Sequence, residues 1–164
     1  TYKERGFHLE EIAKSYVDMI NLALEAKPAD MTITMHICRG NFRSTWFSSG
    51  GYEPVAEILF GHCKVDGFFL EYDSERSGDF SPLRYIKDQK VVLGLITSKF
   101  PELEDKEEIK ERIKEAEKYV AKEQLCLSPQ CGFSSTEEGN VMTEEEQWKK
   151  VVFVKEIAEE VWDD

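Results

Sequence analysis

The sequence predicts an α/β protein with four parallel strands, each followed by a helix, laid out as half of a (β/α)8 TIM barrel. Three observations carry this. Apolar runs alternate with helical-period segments, the order that builds a parallel sheet covered by helices. The runs Gly67 to Tyr72 and Val91 to Ile96 are almost uniformly apolar, as strands buried on both faces are. A full barrel typically takes about 250 residues for eight βα units, whereas this chain of 164 residues supplies four units behind an unpaired first helix. A barrel half, belonging to a longer chain, is therefore expected.

In order, the first helix should carry Leu9, Ile12, Tyr16, Met19 and Ala23 on its inner face, since they recur at spacings of three and four, and should stop at Lys27-Pro28. An apolar strand follows over 31–38. Side chains alternate faces along a strand, so His36 and Cys38 share one. Residues 39–51 form a loop rich in Ser, Gly and aromatics, whose Trp46 and Phe47 are read as packing groups. A second helix turns Val55, Leu59, Phe60 and Cys63 inward. The second strand ends in Glu71, a residue type almost never fully buried without a partner. A brief helix from Ser81 to Lys87 precedes the third strand. Asp105 with Glu108 opens a helix in the manner of a capping box, and Ile109, Ile113, Ala116 and Val120 form its stripe. Leu125 to Leu127 is the fourth strand. Thr143 with Glu146 caps a last helix whose inner face is Val151, Val154, Ala158 and Val161. Neither a repeat nor a Pro/Gly-rich linker divides the chain, so residues 1–164 read as one domain.

Charge narrows the partners. The 21 Lys and Arg against 33 Asp and Glu give −12, which argues against nucleic acid and anionic membrane surfaces. No apolar run approaches the roughly 20 residues that span a bilayer, and no signal-like segment follows the N-terminus, so a cytoplasmic protein is expected. In that compartment Cys38, Cys63, Cys126 and Cys131 are read as buried, catalytic or metal-bound thiols rather than as disulfides.

In α/β barrels function gathers where strands end. His36 and Cys38 end the first strand, Glu71 the second, and Cys131 lies just past the fourth, so three of four strand ends offer a zinc-type donor on one rim. Bland alternatives stand beside this: a hydrogen-bonded core histidine, thiols acting as small core hydrophobes, and Cys126 as a weaker substitute for Cys131. Cys63 sits on a helix stripe and reads as core; His8 and His62 receive no role. Arg39, Asn41, Tyr72, Asp73 and Arg76 flank the donors and are candidates for supporting them.

Three motifs, His36-Ile37-Cys38-Arg39-Gly40-Asn41, Phe69-Leu70-Glu71-Tyr72-Asp73-Ser74-Glu75-Arg76-Ser77 and Ser128-Pro129-Gln130-Cys131-Gly132-Phe133, resemble the catalytic C-terminal barrel of the cobalamin-independent methionine synthase family, most closely its shorter single-barrel members. The resemblance implies that this chain is the C-terminal half of that barrel. It also implies that His36, Cys38, Glu71 and Cys131 hold Zn2+, with Glu71 the catalytic member that loosens as the acceptor thiol, homocysteine, joins the metal. A methylated folate is the methyl donor the resemblance offers, and Arg39, Arg43 and Lys99 are candidates for a local basic patch that would receive it. One departure is plain: where larger members have Asp-x-His-Ser-Pro at a strand end, this chain reads Leu95-Ile96-Thr97-Ser98-Lys99, with Thr97 in place of the family's catalytic His. Alternatives are a corrinoid-linked thiol methyltransferase of the same barrel type and a non-catalytic zinc-binding fragment. Half a barrel exposes sheet edges and an inner face, so self-association is expected.

Overall fold

The strands β1 (Thr34–Ile37), β2 (Gly67–Glu71), β3 (Lys90–Ile96) and β4 (Leu125–Pro129) lie side by side in chain order, all parallel. The computed structural model that shows this describes Gly6 and residues 8–163. Helices α1 (Leu9–Leu24), α2 (Glu53–His62), α3 (Lys106–Ala116) and α4 (Glu144–Trp162) fill the remaining places in the alternation. An α-helix follows β1, β3 and β4, as the sequence predicts, whereas the helix expected over Ser81 to Lys87 after β2 is a short 3-10 helix, Ser81–Tyr85. Among the described residues no helix is long and apolar enough to cross a membrane.

The two faces of the sheet differ. Phe68, Leu70, Val91, Leu93, Leu95 and Leu125 point outward and are buried under the helices, where Ala56, Phe60, Ile109, Ile113 and Ile157 meet them in one core. On the inner face the parallel register sets His36, Phe69, Val92 and Cys126 in one row. Phe69 is 37% exposed although Phe68 beside it is fully buried. Burial on both faces therefore fails for β2 at this residue, because none of the four helices lies over the inner face.

Two helices depart in part from the stripe predicted, although Val154 and Val161 of α4 do pack against the core. On α1 the inward residues are Val17, Ile20 and Leu24, while Leu9, Tyr16 and Met19 are exposed. That helix is apolar on two adjoining stripes, and periodicity alone does not say which one lies on α2. On α4 Phe153 and Ile157 are buried and Val151 is exposed, because Lys150 turns inward to donate to the Glu102 carbonyl (2.6 Å) and to pair with Glu104 (3.1 Å). Both helix starts are as read: Asp105 accepts from the Glu108 amide at 2.9 Å, and Thr143 with Glu146 forms a complete reciprocal box.

Gly94, midway along β3, is required sterically. A Cβ there would lie 2.7 Å from Gln130 Cα and 2.8 Å from the Leu70 carbonyl oxygen, where β3 and β4 slip register between Gly94 and Ile96. Overpacking of this kind costs about 1–3 kcal/mol, so Gly94→Ala should lower the unfolding free energy from urea titration by that amount, at an unchanged slope. Gly61 in α2 faces open space, and Gly61→Ala should raise the unfolding free energy by roughly 0.5–1 kcal/mol, since Gly weakens a helix.

Candidate metal centre

The C-terminal ends of three strands converge on one point of the rim. His36 comes from β1, Cys38 lies just beyond it, Glu71 is the last residue of β2, and Cys131 follows β4 by two positions. One donor atom from each of the four lies within 4.8 Å of the others, and the two sulfurs are 3.8 Å apart. Cys126 lies in the same inner-face row as His36 but beyond Phe69 and Val92, and Cys63 is buried at the end of α2; neither joins the cluster. His62 lines a cleft of about 550 Å3 at the opposite end of the strands, with Lys64 and Lys87.

Each donor is aimed by its surroundings. His36 Nδ1 lies 3.2 Å from the Phe69 carbonyl oxygen, which only accepts, so Nδ1 carries the proton and Nε2 keeps its lone pair for the cluster. Cys38 Sγ accepts from the Gly40 amide at 3.2 Å. Gly40 has φ +100, and a Cβ on it would meet the Phe47 nitrogen at 2.6 Å, so only glycine fits this turn. The main chain of Glu71 is clamped on both sides: its N–H donates to the Tyr52 hydroxyl (2.9 Å) and its carbonyl accepts from Arg39 (3.0 Å). Arg39 also donates to Tyr52 Oη (2.7 Å) and to the Gly50 carbonyl (2.8 Å), which fastens the 39–51 loop to the end of β2.

The carboxylate of Glu71 has no exposed surface. Gln130 Nε2 reaches one oxygen at 3.5 Å; the other, Oε2, has no hydrogen bond and faces Arg76 Nη1 at 3.7 Å. Arg76 spends its shorter contact on Asp73, at 2.8 Å, with its guanidinium 5.6 Å from the Trp46 ring centre. A buried carboxylate with one oxygen orphaned is costly unless a cation completes it. Two thiols, an imidazole and that carboxylate are the donor types of a tetrahedral zinc site, so the residues present fit the metal.

The end of β3 brings no donor but joins the others. The Ser98 amide donates to Gln130 Oε1 at 2.7 Å, and Gln130 is the residue that touches Glu71 and precedes Cys131. The Thr97 amide donates to Glu104 at 2.7 Å. Lys99 Nζ donates to the Gly40 carbonyl (3.0 Å) and to Asn41 Oδ1 (3.3 Å). Ser98 and Gln130 were not singled out from the sequence, where a buried polar bridge looks like any loop Ser or Gln; adjacency to Cys131 is the one signal that could have found Gln130.

Two expectations are corrected here. Arg39 and Lys99 are 6% and 2% exposed, with their donors committed to carbonyl and side-chain acceptors, so they form no surface basic patch with Arg43. Trp46 and Phe47, read as packing groups, are 52% and 93% exposed, because the left-handed turn at Arg43 and Ser44 carries the loop away from the core.

The two thiols differ. In metal-free protein a hydrogen bond between protonated His36 and the Cys131 thiolate, opposed by burial, brings the Cys131 thiol down to about 7, and the same contact raises His36. Burial pushes the Cys38 thiol up, partly offset by the Gly40 amide.

With this geometry in hand, comparison with known proteins is specific. Residues 9–152 match the family model described as "Cobalamin-independent synthase, Catalytic domain". The uncharacterized protein YxjG of Bacillus subtilis is 57% identical across 93% of this chain and 41% of its own length. A methionine synthase of Pyrococcus furiosus is 28% identical across 71% of this chain and 30% of its own. Among solved structures, a candidate vitamin-B12 independent methionine synthase from Listeria monocytogenes superposes with a TM-score of 0.75 at 49% identity, over 96% of this chain and 43% of that one. A B12-independent methionine synthase from a Shewanella species, at 22% identity and a TM-score of 0.67 over 91% of this chain and 46% of that one, shares the fold. The chain spans less than half the length of the relatives it matches.

The unequal thiols give a pH signature in metal-free protein. Iodoacetamide should label Cys131 with a midpoint at about pH 7, the thiolate being the reactive form, while Cys38 should label only above the ordinary thiol range. In His36→Gln the Cys131 midpoint should rise toward that of a free thiol, as peptide mass mapping across pH would read directly. Equal profiles for the two cysteines would contradict the pairing of His36 with Cys131.

Proposed function

The chain belongs to the family of the cobalamin-independent synthase catalytic domain, and on that premise we propose that it is the metal-holding part of a zinc-dependent methyltransferase that acts on a thiol, homocysteine, to give methionine. One observation carries the reading: four donors of zinc type gathered within 4.8 Å at the strand ends of a barrel-type sheet. We assign the metal to His36, Cys38, Glu71 and Cys131. Bound there, zinc would keep the acceptor thiol deprotonated and nucleophilic at neutral pH, where a free thiol of pKa about 8.5 is mostly protonated.

The chain's own residues then have distinct tasks. Cys38 and Cys131 supply the soft donors that keep the centre electron-rich, favouring alkyl transfer to sulfur over hydrolysis. His36 is fixed in one tautomer by the Phe69 carbonyl. Glu71 is the hardest donor type of the four and the one with alternative partners, so Gln130 and Arg76 would hold its charge if it were to loosen for the acceptor. We read the methyl donor as a methylated folate; its binding, like that of the amino acid end of the acceptor, falls to strands outside this chain, in keeping with the share of each relative that it spans. We further read residues 1–164 as one cytoplasmic domain that self-associates through Tyr16 and Met19 on α1, Trp148 and Val152 on α4, and Phe69 on the inner face, all exposed.

Metal analysis tests the assignment. Purified chain should hold one zinc, which Cys38→Ser and Cys131→Ser lose and Cys63→Ser keeps; equal zinc in all three would sink it. Zinc-edge X-ray absorption should gain one sulfur neighbour when homocysteine is added, and an unchanged shell would favour a non-catalytic zinc module instead. Sedimentation at micromolar concentration should show species heavier than one chain.

A further inference from the structure

Two buried polar side chains that are not donors connect both sulfurs. Asn41 is 8% exposed and Lys99 is 2% exposed. The Asn41 amide is used completely: its Oδ1 accepts from Lys99 Nζ, and its Nδ2 donates to the Gly132 carbonyl at 2.6 Å and to Ser135 Oγ at 2.8 Å. Ser135 Oγ lies 3.7 Å from Cys131 Sγ. On the other side Lys99 Nζ holds the Gly40 carbonyl, and the Gly40 amide donates to Cys38 Sγ. The path Cys38–Gly40–Lys99–Asn41–Ser135–Cys131 therefore runs from one sulfur to the other through three different βα loops. Burying an ammonium group is costly, and here it is spent between loops rather than in the core beneath the helices.

We infer that Asn41 and Lys99 are positioning residues that set the separation of Cys38 and Cys131 before a metal arrives; the inference rests on the zinc reading above for its use, though not for its geometry. Holding the sulfurs 3.8 Å apart in advance removes the ordering that binding would otherwise require. Lys99 also places its ammonium near enough to Glu71 and Cys131 to interact with their charge, which would limit repulsion among the donors once a metal deprotonates them.

The test uses the whole chain with Cys63→Ser and Cys126→Ser, leaving the two rim thiols. Zinc affinity is read by competition with a chromogenic chelator. Preorganisation without metal is read with phenylarsine oxide, in which two As–S bonds form, the As=O bond is lost, and both thiol protons leave with its oxygen as water. Asn41→Ala and Lys99→Met should each weaken zinc binding by roughly 10–100-fold at unchanged stoichiometry, the usual loss when a ligand's supporting contacts go. Arsenical capture should fall in parallel, and Lys99→Arg, which keeps charge and donors, should restore most of both. Ser135→Ala, at an exposed position, should give a smaller loss in both with no change in urea midpoint. Unchanged zinc affinity and arsenical capture in folded Asn41→Ala and Ser135→Ala would overturn the inference, as would losses that only track the urea midpoint. If the parent chain takes no zinc while arsenical capture still depends on Asn41, the positioning role stands and the zinc reading fails.

Discussion

A carboxylate with no exposed surface, at the end of β2, sets the terms for the whole rim. Water cannot solvate Glu71, and one of its oxygens has no hydrogen bond. Much of the surrounding structure supports that single group. Gly94 leaves room for Gln130 to approach, Ser98 holds Gln130 by its oxygen so that its nitrogen points at Glu71, and Arg76 stands at ion-pair distance with Asp73 beside it. Arg39 and Tyr52 take the peptide groups on either side, so the carboxylate cannot relieve its burial by moving the strand end. A folded chain that keeps such a group is organised to receive positive charge.

Parallel register makes the convergence possible. Strands in chain order with level pairing deliver their ends to the same rim, and the row of His36, Phe69, Val92 and Cys126 shows how little stagger there is before Gly94. Above that row the β3–β4 slip beyond Gly94 places Gln130 and then Cys131 over the ends of the other strands. The sulfurs meet because the strand between them bears glycine where any side chain would collide.

The alternation of most elements and the two helix caps were legible in the sequence because they rest on local patterns of period and capping chemistry, whereas the meeting of His36, Cys38, Glu71 and Cys131 was expected from the rule that barrel strand ends share a rim and from the family resemblance. What was not legible rests on nonlocal choices. Tyr16 and Val17 are both reasonable inward residues until the place of α2 is known, and Val151 yields to Phe153 only because Lys150 finds Glu104. Lys99 read as a surface cation because nothing in Thr97-Ser98-Lys99 announces that Gly40 and Asn41 will be within reach. The exposure of Phe47 followed from a left-handed turn at Arg43 and Ser44, residues whose types do not signal one.

The end of β3 is where resemblance and structure part. The resemblance places a catalytic histidine of the larger family members there, whereas this chain has Thr97, whose hydroxyl does not titrate near neutral pH. Its amide is committed to Glu104, and its hydroxyl oxygen accepts from the Lys99 amide at 3.3 Å. The two residues after it are buried and bind the loops that carry Cys38 and Cys131. This strand end is thus a joint between the loops that carry Cys38 and Cys131, with no side chain at position 97 that titrates near neutral pH. On the zinc proposal the four donors gather without any contribution from that side chain. On the same proposal, a proton for the departing methyl donor would have to come from a group other than Thr97.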